Sequence, residues 1–369
     1  MLFYPAHDLS LANGIRHYNP PLAARQLQSD LASIFPLWQP HENLLHPLPW
    51  GWNYDTRASL LKRGIPADCL PSDEDLYKLR DLSHRRHTIS MLQSFQALSE
   101  KHPFLSFKNI SLPQYICDNQ SLRIAIDQTP SCLLKAPWSS SGRGLVWSDK
   151  TAQEKLLQRG ESIIRDMGGV MFEQCYDKAL DFAMLFYIGN KKVRFVGYSI
   201  FDTDQLGTYR SGLLMSHEKM ADKLSNFISA EELEIVCQHY SNHLLPQMFS
   251  SFFDQKYQLG YIGIDMMMIK DPTMPLGYRL HPCIEMNVRC TMGVVARLLF
   301  DHFIHPEACG QYIIEYSKET KFLQQRQQHL CDSNPLCESD NRILSGFLPL
   351  STIEDDSHFF AYALLNSSK

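Results

Sequence analysis

Two late segments of the chain hold the side chains best suited to chemistry. Asp265 sits in an otherwise apolar run, GIDMMMI, and Glu285, Asn287 and Arg289 follow within IEMNVR. Both runs have strand composition, and the Asp-, Pro- and Gly-rich DPTMPLG between them predicts a hairpin. Side chains at i, i+2 and i+4 of a strand share a face, so Glu285, Asn287 and, if the strand reaches that far, Arg289 point together. Symmetric pairing about Pro275 sets Asp265 opposite Glu285, with Cβ atoms about 5 Å apart. Two carboxylates that close repel unless a cation lies between them. Hard oxygen donors from Asp, Glu and Asn suit Mg²⁺, completed by water and phosphate oxygens. A surface hairpin with solvated acids is the alternative, although burying an unpaired charge within GIDMMMI is costly.

A second segment, KAPWSSSGRG, places Lys135 ahead of Ser139, Ser140, Ser141, Gly142, Arg143 and Gly144. Such a loop can wrap a polyphosphate: glycine permits close backbone approach, hydroxyl and N–H groups donate, and Lys135 and Arg143 bring positive charge. An ordinary polar hairpin loop has the same composition. The patterns GxxxxGK[ST] and GxGxxG are absent from the sequence, so a P-loop or Rossmann site is unsupported. In a third segment, VMFEQCYDKALDFAMLFYI, Glu173 ends one strand and Asp181 begins the next. Backbone groups at Gln174, Cys175 and Tyr176 could meet the edge of a base, and Asp181 could accept from ribose hydroxyls. A hairpin with polar corners also accounts for this segment.

The elements that must position these residues read as a mixed α+β chain. With 369 residues, 44% hydrophobic and 20% charged, the sequence is long enough for two or three globular units and excludes disordered, collagen-like and coiled-coil classes. A net charge of -5 is too mild to mark a nucleic-acid or membrane partner. No apolar run reaches membrane-helix length, no secretion signal opens the sequence, and ten cysteines lack any CxxC pair, so reduced thiols and a cytoplasmic location are expected. A short strand-like LFY and a proline-led helix near 21–35 begin the chain, followed by a loop-rich Trp, Pro and His stretch. A capping box at Ser72 and Asp75 then starts a charged helix, bent near Ser83, that runs to about Ser99. Short strands alternate with helices from Ser131. Another capping box at Ser229 and Glu232 opens a helix that Pro246 bends or ends. Helices are expected near 290–303 and 306–328, and a strand pair around GFLPL and FFAYALL.

In this order and at these separations, the three chemical segments resemble the ATP-grasp superfamily, the fold of biotin carboxylase, D-alanine:D-alanine ligase and glutathione synthetase. IEMNVR is similar to the Glu-x-Asn-x-Arg form of biotin carboxylase. The resemblance implies an ATP-grasp domain over residues 83–305 with two α+β subdomains enclosing the nucleotide, the glycine-rich loop subdomain near 130–200. It also implies an N-terminal pre-ATP-grasp α/β domain over 1–82 and a helical and strand extension over 306–369. Lys135 with Ser139–Gly144 would cover the phosphates, and Glu173 through Tyr176 would contact adenine. Asp265, Glu285 and Asn287 would hold two magnesium ions, or manganese; Arg289 would lie near the transferring phosphate or the substrate, and with Lys135 it would offset the charge of the phosphoryl group in flight. The implied activity is ATP-dependent joining of a small-molecule or peptide carboxylate to an amine through an acyl phosphate. A nucleotide-binding sensor or scaffold, and a phosphotransferase, are the alternatives.

The sequence departs from the family in two places. Where an earlier phosphate-binding lysine is usual, it reads LSHRRHT, so Arg85 or Arg86 would have to serve. Gly263 stands where several ligases carry an arginine. His84 and His87 lie among arginines, which disfavours metal ligation. YPAHDLSLANG with RHYNPP resembles the opening of a group of ATP-grasp-like bacterial proteins, and His7 and Asp8 either point into the cleft or hold a strand-to-loop turn. Tyr209 and Arg210 are a substrate contact or a surface turn.

Overall fold

The structure is a computed structural model and describes residues 2–34, 47–102, 104–129, 131–139, 142, 144–204 and 207–367. The chain opens with helices α1 (His7–Asn13), α2 (Leu22–Asp30), α3 (Tyr54–Lys62), α4 (Asp73–Leu82) and α5 (His87–Lys101). Their starts have local causes. Pro21 precedes α2, where a missing N–H costs nothing. Asn53 caps α3 by accepting from the Thr56 N–H, and both bonds of the Ser72–Asp75 capping box are made at α4. The expected bend near Ser83 is a full break between α4 and α5. The LFY run forms one bridge, Leu2 to Pro49, rather than a strand, because Phe3 is used to pack edge-on against Trp50. Among the described residues the N-terminal unit is therefore helices and a bridge, where an α/β unit was expected.

A small sheet follows, built from β1 (Gln114–Ile116), α6 (Asn119–Gln128), β2 (Cys132–Lys135), β3 (Leu145–Trp147), α7 (Gln153–Met167) and β4 (Val170–Gln174). Its order is β1-β4-β2-β3, every neighbour antiparallel. Leu122, Ile126, Leu156 and Ile164 of α6 and α7 cover one face over Leu134 and Phe172. This anchors Lys135 at the end of β2, at the root of the glycine-rich loop.

The larger sheet takes β5 (Lys178–Gly189), β6 (Lys192–Thr203) and β7 (Tyr209–Leu214), then, after α8 (His217–Ser225), α9 (Ala230–His239) and α10 (Leu245–Phe249), β8 (Gly260–Lys270) and β9 (Tyr278–Asn287). It is completed beyond α11 (Met292–Phe303) by β10 (Ala308–Tyr316) and, after α12 (Thr320–Ser333), by β11 (Cys337–Ser339), β12 (Arg342–Pro349) and β13 (Phe359–Ser367). Nine strands run in the order β11-β12-β13-β10-β7-β6-β5-β8-β9. DFAMLFYI is apolar almost throughout because β5 is buried on both faces: Phe182, Met184, Phe186 and Ile188 meet a core shared with α5 and α9, while Ala183 and Leu185 meet one shared with α11 and the N-terminal unit. Pro246 does not end its helix. A π-helical turn at Tyr240–Leu244 precedes it and places it at the start of α10, where its absent N–H is tolerated.

The helix expected at 306–328 is a correction: residues 308–316 form β10, hydrogen-bonded on both sides by β7 and β13. ACGQYIIEY lacks clean alternation because both faces of this central strand are partly covered, so only the pairing decides its state. The α+β architecture of two sheets agrees with the ATP-grasp resemblance. Among the described residues no helix is long and apolar enough to cross a membrane.

Candidate functional site

The hairpin β8–β9 pairs Asp265 with Glu285 and Gly263 with Asn287, as the sequence predicts, but by a different route. Nearer the turn the partners are Met267 with His281 and Lys270 with Tyr278, a register centred one residue earlier. Between His281 and Glu285 strand β9 bulges, so Pro282, Cys283 and Ile284 span what Met266 alone spans on β8. Pro282 cannot donate to a ladder, and a bulge is where a strand tolerates it; the Tyr240 hydroxyl donates to its carbonyl at 2.7 Å. The bulge advances Glu285 to face Asp265. Asn287 Nδ2 donates to Asp265 Oδ2 at 3.0 Å. Burial first, and the neighbouring Glu285 second, push the Asp265 carboxyl up to about 7.

The opposite wall comes from the small sheet. Lys135 and Glu173 lie on adjacent strands β2 and β4, and their side chains form a buried ion pair at 2.5 Å. At the hinge after β4, the Cys175 N–H donates to Ser131 O at 3.1 Å, while the Gln174 amide oxygen and the Tyr176 hydroxyl accept from Ser111. The Tyr176 N–H has no partner among the described residues, so Tyr176, rather than Cys175, has a donor for the edge of a base. Asp181 pairs with Lys178 and lies 3.5 Å from the Thr203 hydroxyl.

One crevice of about 510 Å³ between the two sheets is lined by Lys135, Gly142, Glu173, Gln174, Cys175, Tyr176, Asp181, Asp265, Glu285, Asn287 and Arg289. The volume is that of a small-ligand site. Ser139 is buried behind the wall, where its hydroxyl accepts from Arg85 at 2.7 Å, and the Gly144 carbonyl accepts from the Ala136 N–H at 2.9 Å. Ser140, Ser141 and Arg143 lie outside the described residues. Of the two candidate arginines, Arg85 enters the site. It is buried and spans the crevice, donating to Glu285 Oε1 at 2.7 Å and to the carbonyls of Ala136 and Ser139. Arg86 pairs with Asp81 at the surface. His84 packs between Tyr115 and Trp138, and burial lowers its pKa to about 4.

Asp8 of α1 lines the same crevice and accepts from Arg289 Nε at 2.9 Å. His7 does not face it. It is buried, bonded to Asn53 at 2.9 Å, and lowered to about 3 by burial and by Arg289. Tyr209 lines the crevice, and Arg210 is exposed. Sequence reasoning missed Trp147, Ser199, Phe3, Trp50 and His281. Trp147 Nε1 and the Tyr209 hydroxyl are buried with no partner among the described residues. His281, edge-on to Tyr176 at 5.5 Å, also has an unpartnered Nδ1, and burial together with Lys135 lowers it to about 3. The strand period could have found His281, two residues before Cys283 and four before Glu285. No local pattern marks Phe3 or Trp50.

Two facing carboxylates, one of them resisting ionisation, form a site that favours a cation. Among the described residues no cluster of three or more His, Cys, Asp or Glu side chains gathers. Two carboxylates and an amide fit an ion that keeps water and substrate oxygens, as magnesium does, rather than one closed in a protein cage.

No protein-family model matches the chain, and no curated protein matches it. Among solved structures it is similar to an N5-carboxyaminoimidazole synthetase from Staphylococcus aureus complexed with ADP, at 10% identity over 79% of this chain and 70% of that one, TM-score 0.44. A biotin carboxylase from Campylobacter jejuni is similar at 10% identity over 86% and 70%, TM-score 0.49. The biotin carboxylase domain of the 2-oxoglutarate carboxylase of Hydrogenobacter thermophilus, in complex with ADP, is similar at 10% identity over 95% and 76%, TM-score 0.49.

Proposed function

We propose that this chain is an ATP-grasp ligase, which binds Mg-ATP in the crevice and joins a carboxylic acid to an amine or similar nucleophile through an acyl phosphate, releasing ADP and phosphate. One observation carries the reading: Asp265, Glu285 and Asn287, brought level on two paired strands, face the Lys135–Glu173 pair and the Tyr176 hinge across a single crevice.

The hinge from Glu173 to Tyr176 meets the base, and Asp181 the ribose. Lys135 and Arg85 take the phosphates, Arg85 in place of the usual lysine and with a planar fork instead of a point charge. Asp265, Glu285 and Asn287 hold magnesium, for which manganese can substitute; when bound, the ion supplies positive charge against the phosphate oxygens. Arg289 offsets charge on the group in flight. An acid oxygen bonds to the γ-phosphorus as the bond to ADP breaks, and the amine then displaces phosphate from the acyl carbon. Positioning and charge suffice for both steps, with no side-chain nucleophile. All ten cysteines are free thiols, which fits a reducing compartment, and we place the protein in the cytoplasm.

The test is acid-dependent, magnesium-dependent ADP release by the purified protein, followed by consumption of an added amine. Glu285→Ala is expected to lower turnover by about a thousandfold, the scale of losing a group that organises transition-state charge. Unchanged ADP release by that variant would overturn the metal assignment. A sensor gives nucleotide binding without release, and a phosphotransferase stops at a phosphorylated acid.

A further inference from the structure

The crevice has a second end, walled by the N-terminal unit. Phe3, Leu27, Trp50 and Met292 line it, together with Asp8 and Arg289. These residues are tied to one another. The rings of Phe3 and Trp50 stand 4.9 Å apart, edge to face, and the Cys290 N–H donates to the Trp50 carbonyl at 2.6 Å. Gly51 is pressed against both His7 and Arg289: a Cβ there would lie 2.6 Å from the His7 ring and 2.9 Å from the Arg289 Cβ. The guanidinium is therefore fixed from the N-terminal side.

Arg289 gives Nε to Asp8 and Nη1 to the Cys290 carbonyl, and Nη2 has no partner among the described residues. Arg289 thus keeps one open donor edge in a crevice that Phe3, Leu27, Trp50 and Met292 also line. We propose that this end is the acid subsite of the ligase, and that the acid it takes is a monocarboxylate with an apolar body. This assignment rests on the ATP-dependent reading above. The carboxylate meets Nη2, a planar donor matched to it, and the body lies against Phe3, Leu27, Trp50 and Met292. Asp8 already supplies one negative charge to Arg289, so a second carboxylate on the substrate meets repulsion. A polar body would leave its hydrogen-bonding groups unpaired on this wall, which a site of this composition rejects.

The experiment is calorimetric titration of the full-length protein, saturated with Mg-ADP, with acetate, butanoate, hexanoate, 3-phenylpropanoate and succinate. Affinity is expected to rise about threefold to fourfold for each methylene added along the aliphatic series, the scale of burying that group, with succinate weaker than butanoate. Arg289→Gln is expected to weaken every acid at least tenfold, and Leu27→Asn to weaken hexanoate about tenfold while changing acetate little. Circular dichroism checks the fold, and Met292→Ser replaces Leu27→Asn if the latter does not fold. A flat series, a preference for succinate, or a chain-length dependence untouched by the folded wall variant overturns the subsite while leaving the ligase reading standing. Failure of the wild type to bind Mg-ADP at all instead removes the ligase reading, and the subsite with it.

Discussion

Asp265→Asn separates stability from function most sharply. In the metal-free protein, burial and the facing Glu285 push the Asp265 carboxyl from 3.8 to about 7. A raised carboxyl pKa means that the folded state keeps a proton which the unfolded chain has lost. The wild type is therefore fully stable with respect to this group below about pH 4, and loses stability as pH rises towards 7. A shift of that size corresponds to about 4 kcal/mol. Asp265 keeps some exposure to the crevice, and solvent there screens part of the effect, so about 2 kcal/mol is expected in practice. Asparagine carries no charge and can still accept from Asn287. In EDTA, urea unfolding should show Asp265→Asn more stable than the wild type by about 2 kcal/mol at pH 8, with the gap closing towards pH 4. Saturating Mg-ADP should reverse the order, since a ligand present at 100 times its Kd stabilises its target by about 2.7 kcal/mol and the variant should gain little. A variant less stable than the wild type at pH 8 in EDTA, or a gap independent of pH, would refute the electrostatic reasoning.

Three further outcomes are expected. Lys135→Ala strands the largely buried Glu173 carboxylate and should cost about 1–3 kcal/mol in thermal unfolding; nucleotide affinity should fall at least tenfold, and wild-type affinity by calorimetry would remove the lysine from the site. Gly51→Ala forces a methyl group into the His7 ring and the Arg289 stem and should destabilise by about 1–3 kcal/mol; a neutral result in chemical unfolding would mean that the N-terminal unit yields easily. Tyr209→Phe removes a hydroxyl that is buried without a partner among the described residues, so the melting temperature of the ligand-free protein should hold or rise; a loss above about 1 kcal/mol would show that the hydroxyl is satisfied in solution.

The α+β class and the strands bearing the candidate site were legible because local chemistry marked them. Glu285 and Asn287 alternate on β9, and DFAMLFYI carries the apolar run of a strand covered on both sides. Arg85 could not be chosen over Arg86 from LSHRRHT, since the two are neighbours and only the break before α5 turns one inward and the other towards Asp81. The wall made by Phe3 and Trp50 was invisible for a different reason: it joins residues far apart in the chain through one bridge and a ring contact, with no period to betray them. Strand β10 was mistaken for a helix because a central strand with two partly covered faces carries no binary pattern.

The bulge at Pro282 reaches further than alignment. Were β9 regular from the turn onward, Cys283 would stand across from Asp265 and Glu285 would slide about 7 Å along the strand. The same amino acids would then offer an ion one carboxylate and one sulfur, a soft donor set that discriminates against magnesium. If the hairpin holds a metal as proposed, its choice is written into slack in the backbone, and an engineer could seek to retune it by replacing Pro282 so that β9 pairs regularly without its bulge, leaving both acids untouched.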